Sequence, residues 1–316
     1  MIAKRWCQVC SRLPFSVGVI PSEIDRSLDC ALPVIAELGL RAVELSEADG
    51  MQLPDMTPDI ACAIADRLAQ AGLVVPVAGT QIFKYTQIAQ MGSSPLDHPF
   101  MCAEMDQLKN ALRVANILGA RILRLYAFRR DGVTGLGNPT PIEKDGGSVP
   151  DDIVDKAGTV LAAAGEVAQE MGVTLAVENV RSCWANSGIN TARLVAAAAH
   201  PAVRICWDPA NDFVAGGDPA HSGFQAITPY LVAAHLKSAQ LVEPQTGLTA
   251  WSPIGEGAVD MATQIRLLTE TGFRGLASIE THWKPANGTN IEGTRISFAG
   301  LVTAVEQVVC GEEGSQ

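Results

Sequence analysis

Short apolar runs alternate with longer amphipathic segments along most of the chain. The short runs have the length and the β-branched residues of buried strands, whereas the longer segments repeat their apolar residues with the period of a helix. Eight strands are predicted from this pattern, over residues 16–20, 41–46, 73–80, 121–127, 173–178, 203–208, 231–237 and 275–281.

A helix is predicted after each strand, and several of these helices end at a glycine such as Gly39, Gly72 or Gly119. Glycine is common there because it adopts left-handed backbone angles without steric cost. The predicted helices cover residues 22–38, 57–71, 101–118, 151–171, 190–199, 219–230 and 260–271, and a last one ends near residue 309.

Repeated strand–helix units predict an α/β fold in which crossover helices join parallel strands. A doubly wound open sheet usually has a glycine-rich phosphate loop after its first strand, but here Pro21 and Ser22 follow that strand. The pattern therefore favours a closed (β/α)8 TIM barrel. We expect one domain over residues 1–316, with an N-terminal extension at 1–14 and a tail at 311–316.

Residues 128–150, which follow the fourth strand, form a long segment rich in glycine, proline and charge. Loops at the carboxyl ends of barrel strands surround the active site. The segment is therefore predicted to be either a lid over that site or a passive insertion.

The balance of charges limits the classes of partner. The chain has 23 Lys and Arg residues against 34 Asp and Glu residues, which gives a net charge of −11. Nucleic acids and acidic membranes require a basic face, so neither is expected as a partner. The eight cysteines are scattered, and the isolated pair Cys7 and Cys10 is a weak signal for a redox or zinc site. We recognise no signal peptide or apolar spanning segment, so a cytoplasmic location is expected.

Charged residues stand at the ends of the last four strands, namely Glu178, Asp208, His235 and Glu280. Taken singly, each is explained by an ion pair or a structural hydrogen bond. Because each preceding run is apolar, however, three converging carboxylates would be partly buried and would repel one another without a cation. Their joint occurrence predicts one divalent metal ion. Carboxylates with one imidazole suit Mn²⁺ or Mg²⁺, and Co²⁺ and Zn²⁺ are also compatible.

Five further residues near these strand ends are candidates for substrate binding: Glu44, Asn179, Asn211, Lys237 and His282. Glu44 ends the second strand, where a structural ion pair is an equally good explanation. Lys237 shares a strand face with His235, because side chains alternate with period two. It could bind an anionic group or polarise a carbonyl.

Several of these motifs resemble the sugar phosphate isomerase/epimerase superfamily of xylose isomerase-like barrels. The segments that carry the resemblance are LRAVELS, LAVENV, CWDPAND, AAHLKS, SPIGEGAVD and SIETHW. The resemblance extends from residue 15 to about residue 309. It implies the same four metal ligands, and in the epimerase branch Glu178 and Glu280 would also be the catalytic pair that transfers protons. Asn211 matches a position that contacts the substrate.

Two positions depart from the pattern of the superfamily. Ser238 stands where the usual HLKD segment has its aspartate, and Leu241 stands where the ketose 3-epimerases have a substrate-binding arginine. Leu241 argues against a 3-epimerase, and the two departures together leave the particular reaction open. Endonuclease IV, another member, needs additional histidines, and this chain has only five.

The ligand set and the resemblance together predict a metal-dependent isomerase or epimerase. It would act through a metal-bound enediolate on a small, carbohydrate-like polyhydroxy carbonyl substrate. The alternatives are a metal-dependent dehydratase of the inosose or dehydroshikimate type and a non-catalytic sugar-binding barrel. Apolar helix faces and the resemblance are also compatible with a homo-oligomer.

Overall fold

A computed structural model describes residues 2–132 and 143–311, in which eight parallel strands close into a barrel. Neighbouring strands pair in chain order, and the last strand pairs with the first, so that Ser16 lies opposite Leu276. The predicted (β/α)8 barrel is therefore confirmed. The strands are β1 (Ser16–Val19), β2 (Ala42–Leu45), β3 (Val74–Gly79), β4 (Ile122–Leu125), β5 (Thr174–Glu178), β6 (Val203–Trp207), β7 (Leu231–Leu236) and β8 (Leu276–Ile279).

The helices connect successive strands and bury one apolar face each. Ile35, Leu112, Leu161 and Phe298, from four different helices, are fully buried, and each such side chain stabilises the fold by about 1.5–3 kcal/mol. The helices in the described ranges are α1 (Ile2–Val9), α2 (Pro21–Ile24), α3 (Leu28–Leu38), α4 (Pro58–Gln70), α5 (Pro99–Leu118), α6 (Asp151–Glu170), α7 (Gly188–Ala198), α8 (Pro209–Val214), α9 (Ser222–Ile227), α10 (Met261–Glu270) and α11 (Asn290–Gly311). None of them has both the length and the apolar character that a membrane span requires.

Mostly small side chains fill the lower part of the barrel interior. This layer consists of Ala42, Val77, Ala176, Cys206, Ala233 and Leu276. Side chains two positions later along a strand return to the same face. That next position is Glu44 in β2, Glu178 in β5, His235 in β7 and, just after β6, Asp208. All four are at most 1% exposed. The alternation of the strands thus places a charged layer above an apolar one.

The predicted helix over residues 22–38 is divided into α2 and α3. Between them, Asp25 accepts a hydrogen bond from the backbone N–H of Ser27 at 2.8 Å. Asp49 accepts another from the N–H of Leu28 at 2.9 Å, which is a donor at the first turn of α3. These two side chains satisfy backbone groups that a continuous helix would have bonded internally, and the division follows.

An antiparallel hairpin, which the sequence did not predict, follows β7 directly. Its strands are Ser238–Glu243 and Leu248–Ser252. Leu241 and Val242 on its first strand are 40% and 53% exposed, so the segment lacks the alternation of a half-buried strand. A second short pair joins Glu47–Ala48 to Met51–Gln52.

The ends of the chain and the 128–150 segment are only partly described. Residues 133–142 and 312–316 lie outside the described ranges, and the lid over residues 128–150 stays a prediction. The later part of that segment packs on α7, where Asn190 donates to the carbonyl of Gly147 at 2.7 Å. Within the predicted N-terminal extension, α1 packs on α11 through Trp6 and Phe298, whose rings lie 5.6 Å apart.

Candidate metal centre

A cavity of about 540 Å³ opens at the carboxyl ends of the strands. Glu178, Lys237 and Glu280 line its inner part, and Trp251 from the hairpin and His282 form part of its wall. The cavity therefore lies on the face where barrel enzymes bind their substrates.

The structure brings the four predicted metal ligands together beside this cavity. One ligand atom from each of Glu178, Asp208, His235 and Glu280 lies within 4.8 Å of the others. All four residues are at most 7% exposed. Three carboxylates so close together in a buried place require positive charge among them.

The imidazole of His235 is held by a residue behind it. Its Nε2 lies 2.9 Å from Glu44 Oε2, so a proton on Nε2 is donated to that carboxylate. The other nitrogen, Nδ1, is buried and has no hydrogen-bond partner in the part of the chain that the structure describes. It faces Glu178 at 3.5 Å, Glu280 at 3.4 Å and Asp208 at 3.8 Å. An unpaired nitrogen among three carboxylate oxygens fits a divalent cation, and the bond to Glu44 is the orienting contact that metal-binding histidines typically have.

The pKa values around His235 also reflect this concentration of negative charge. Burial lowers the pKa of His235, but Cys206 and the nearby glutamates raise it well above its usual range. Burial raises the pKa of Glu280, but Lys237, His282 and His235 lower it well below its usual range. Glu280 is therefore ionised at neutral pH, as a metal ligand or a general base must be.

Lys237 lies among the carboxylates and also reaches the cavity. Its Nζ is 2.8 Å from Asp208 Oδ2 and 2.6 Å from Glu280 Oε2, and it lies 4.4 Å from the centre of the Trp251 ring. Burial lowers the pKa of Lys237, whereas Asp208 and Glu280 raise it above its usual range. The ammonium group is thus charged and neutralises part of the carboxylate cluster.

Arg124 extends this network to the other side of the barrel. Its Nε donates to Glu44 at 2.9 Å, and its Nη1 lies 3.4 Å from Glu178 and donates to the Tyr126 hydroxyl at 2.7 Å. Gly79 makes room for this side chain, because a Cβ there would lie 2.6 Å from the guanidinium. Glu44, a candidate for substrate binding or for a structural ion pair, is fully buried, paired with Arg124 and His235, and outside the cavity lining. Sequence reasoning missed Tyr126, although it shares a strand face with Arg124.

Two asparagines position Asp208 and Glu178. The side chain of Asn211 donates to Glu178 at 3.1 Å and to Asp208 at 3.0 Å, and its backbone N–H donates to Asp208 at 2.8 Å. Asn179 exchanges two hydrogen bonds with the backbone of Asp208, at 2.7 and 2.8 Å. Asn211 lines the cavity, as expected for a residue that contacts substrate, whereas Asn179 is fully buried beneath it.

His282 lies at the edge of the cavity, next to Glu280. Its Nε2 is 3.3 Å from Glu280 and 3.3 Å from Glu23, and its ring packs on Trp251 at 5.2 Å. Burial lowers the pKa of His282, but Glu280 raises it, and the balance puts it at about 9. Glu23 was not among the predicted residues, because it lies in α2, far in sequence from the other motifs.

A family model for xylose isomerase-like TIM barrels matches residues 32–299 of the chain. The protein belongs to this family. A comparison with curated proteins found no matching sequence. The two positions that depart from the pattern of the superfamily both lie on the first strand of the hairpin, where Ser238 is buried and Leu241 is exposed.

Solved structures share the fold of this xylose isomerase-like barrel at low sequence identity. An L-ribulose 3-epimerase is 16% identical with a TM-score of 0.70, over 96% of this chain and 98% of its own. The IOLI protein with a bound zinc atom is 16% identical with a TM-score of 0.72, over 93% and 99%. A probable 3-DHS dehydratase, AsbF from Bacillus anthracis, is 15% identical with a TM-score of 0.65, over 93% and 99%. At such identities the likeness shows the fold alone.

Proposed function

We propose that this protein is a divalent-metal-dependent isomerase or epimerase of small polyhydroxy carbonyl compounds. The observation that carries the proposal is the unpaired Nδ1 of His235, which faces Glu178, Asp208 and Glu280 within the 4.8 Å cluster. Mn²⁺ or Mg²⁺ suits this oxygen-rich set, and Co²⁺ or Zn²⁺ is compatible with it. When bound, the cation would act as a Lewis acid on adjacent carbonyl and hydroxyl oxygens of the substrate.

The two glutamates are the residues that would move the proton. Glu280 is ionised and held by Lys237 at 2.6 Å, while Asn211 holds Glu178 at 3.1 Å. These contacts fix one oxygen of each carboxylate. One glutamate would remove the proton from the carbon next to the carbonyl, and the same or the other glutamate would return it. Positioning both beside one cavity is what isomerisation or epimerisation requires.

The test begins with the metal content of the purified protein, followed by a screen of ketoses, inososes and sugar phosphates. The expected result is about one divalent ion per chain and a product with the same mass as its substrate, identified by mass spectrometry and NMR. Removal of the ion by a chelator should abolish turnover, and the ion should restore it. Turnover that survives chelation would contradict the metal dependence, and a protein that binds no divalent ion and converts none of these compounds would contradict the proposal and favour the sugar-binding alternative.

A dehydratase is the second candidate, because it begins with the same removal of a proton. The observation in its favour is His282, which lines the cavity 3.3 Å from Glu280 and could donate a proton to a leaving hydroxyl. Mass spectrometry separates the two activities, since dehydration removes one water from the substrate and isomerisation leaves its mass unchanged.

A further inference from the structure

Arg181 is a buried cation in the cavity and forms no ion pair with any residue that the structure describes. It follows β5 by three residues, lines the cavity and is 7% exposed. Its one hydrogen bond within residues 2–132 and 143–311 is a long one, from Nη1 to Thr249 Oγ1 at 3.5 Å. No carboxylate of the described residues lies within ion-pair distance of it. A guanidinium has five N–H donors, and leaving most of them unpaired in a buried place is costly.

A second cation, Lys84, lies in the same cavity. Its Nζ is 4.6 Å from the centre of the Tyr126 ring, and among the described residues it also forms no ion pair. Together, Lys84 and Arg181 form the cationic wall of the cavity.

The acidic residues of the cavity do not compensate for this wall, because each has another partner. Glu178 pairs with Arg124 at 3.4 Å and Glu280 with Lys237 at 2.6 Å. At the rim, the partners are Glu47 with Arg26 and Glu23 with His282. Within a chain of net charge −11, the cavity thus has a metal-binding carboxylate cluster and a separate wall with surplus positive charge.

We propose that the substrate is a hydroxy-carbonyl compound that also carries an anionic group, a carboxylate or a phosphate, which Arg181 binds with help from Lys84. This inference rests on the function proposed above and specifies its substrate class. The carbonyl end would face the carboxylate cluster and the anionic end the cationic wall. Arginine binds carboxylate and phosphate oxygens with paired N–H donors, so the unused donors of Arg181 match either group.

Three sugars that differ only at one end test the inference: D-fructose, D-fructuronate and D-fructose 6-phosphate. Their carbon 6 carries a hydroxyl, a carboxylate and a phosphate, respectively. Binding to the Mn²⁺-loaded protein is measured by calorimetry. We expect at least one of the two anionic sugars to bind 10-fold or more tightly than fructose, and the tighter one identifies the group. Equal binding of all three, or no binding of either anionic sugar, would overturn the proposal.

Variants locate the effect in the cavity. Arg181→Met should reduce the preference for the anionic sugar to less than 3-fold, whereas Arg181→Lys should keep part of it because the charge remains. The matched control is Arg121→Met, an exposed arginine before β4 at the opposite end of the barrel, which should keep the full preference. Circular dichroism confirms that each variant is folded. An undiminished preference in folded Arg181→Met would overturn the assignment of this residue.

The same samples separate this proposal from the function on which it rests. Exchange of the hydrogen next to the carbonyl with D₂O, followed by NMR, reports proton transfer. An anionic preference without any exchange would support the binding site and contradict the isomerase. Equal exchange and equal affinities for fructose and the anionic sugars would support the isomerase and contradict the anion-binding site.

Discussion

Glu44 lies outside the cavity and orients His235, one of the four proposed metal ligands. It accepts the Nε2 proton of His235 at 2.9 Å and also binds Arg124 at 2.9 Å. Burial raises the pKa of Glu44, but His235 and Arg124 lower it to about 2, so it stays charged through the physiological range. With a cation at Nδ1 in place of a proton, the charged acceptor on Nε2 would make Nδ1 a stronger ligand.

We therefore expect Glu44→Gln to weaken metal binding. Losing the orienting partner of a metal-binding histidine typically costs 10- to 100-fold in affinity, and the glutamine amide would also compete as a donor. The measurement is the dissociation constant of Mn²⁺ by calorimetry. Glu37→Gln, an exposed glutamate paired with Arg295, serves as the control. Affinity within 2-fold of the wild type for Glu44→Gln would contradict the role given to this residue.

At the scale of elements, Asp212 joins α8 to α7. Its Oδ1 accepts a hydrogen bond from the backbone N–H of Gly188 at 2.7 Å. Its Oδ2 is buried and has no hydrogen-bond partner within residues 2–132 and 143–311. Gly217 allows this packing, because a Cβ there would lie 2.3 Å from Oδ2. Burial is the main cause that raises the pKa of Asp212 to about 7, although the N–H of Gly188 lowers it.

This pKa gives folding stability a specific pH dependence. Unfolded aspartate has a pKa near 4, so between pH 4 and pH 7 the folded state binds more protons, and stability falls as the pH rises. From pH 5 to pH 8 the free energy of unfolding of the wild type should fall by about 2–3 kcal/mol more than that of Asp212→Asn. The asparagine keeps the acceptor oxygen but does not titrate. Urea unfolding at both pH values measures this. The exposed Asp66→Asn should behave as the wild type, and parallel pH profiles for wild type and Asp212→Asn would refute the expectation.

Elements whose apolar residues repeat with a clear period could be predicted from the sequence. Elements whose bounds depend on side chains from distant parts of the chain could not. The strand and helix alternation, with Gly39 and Gly119 in left-handed conformation after α3 and α5, follows from local sequence. The division between α2 and α3 depends on Asp49, 21 residues away from Leu28. The hairpin after β7 has exposed apolar residues, so its pattern does not distinguish it from a loop.

For the whole molecule, the closed barrel explains why the site could be predicted in part. Each of the four proposed ligands stands at the end of its own strand, and parallel strands in a barrel bring those ends to one face. The four-residue cluster therefore followed from topology. The role of Glu44 behind His235, and the lack of an ion pair at Arg181 among the described residues, depend on distances across the barrel, which sequence order does not specify. A homo-oligomer stays a prediction.

The proposed function requires this barrel to transfer a proton with a glutamate pair beside a metal ion. The most direct measurement is deuterium incorporation from D₂O next to the substrate carbonyl, followed by NMR for Mn²⁺-loaded wild type and Glu280→Gln. We expect exchange in the wild type and an exchange rate lower by about 100-fold or more in Glu280→Gln, with the fold intact by circular dichroism. The exposed Glu170→Gln, at the end of α6, should retain wild-type exchange. An exchange rate within a few-fold of the wild type in Glu280→Gln would contradict proton transfer by this glutamate pair.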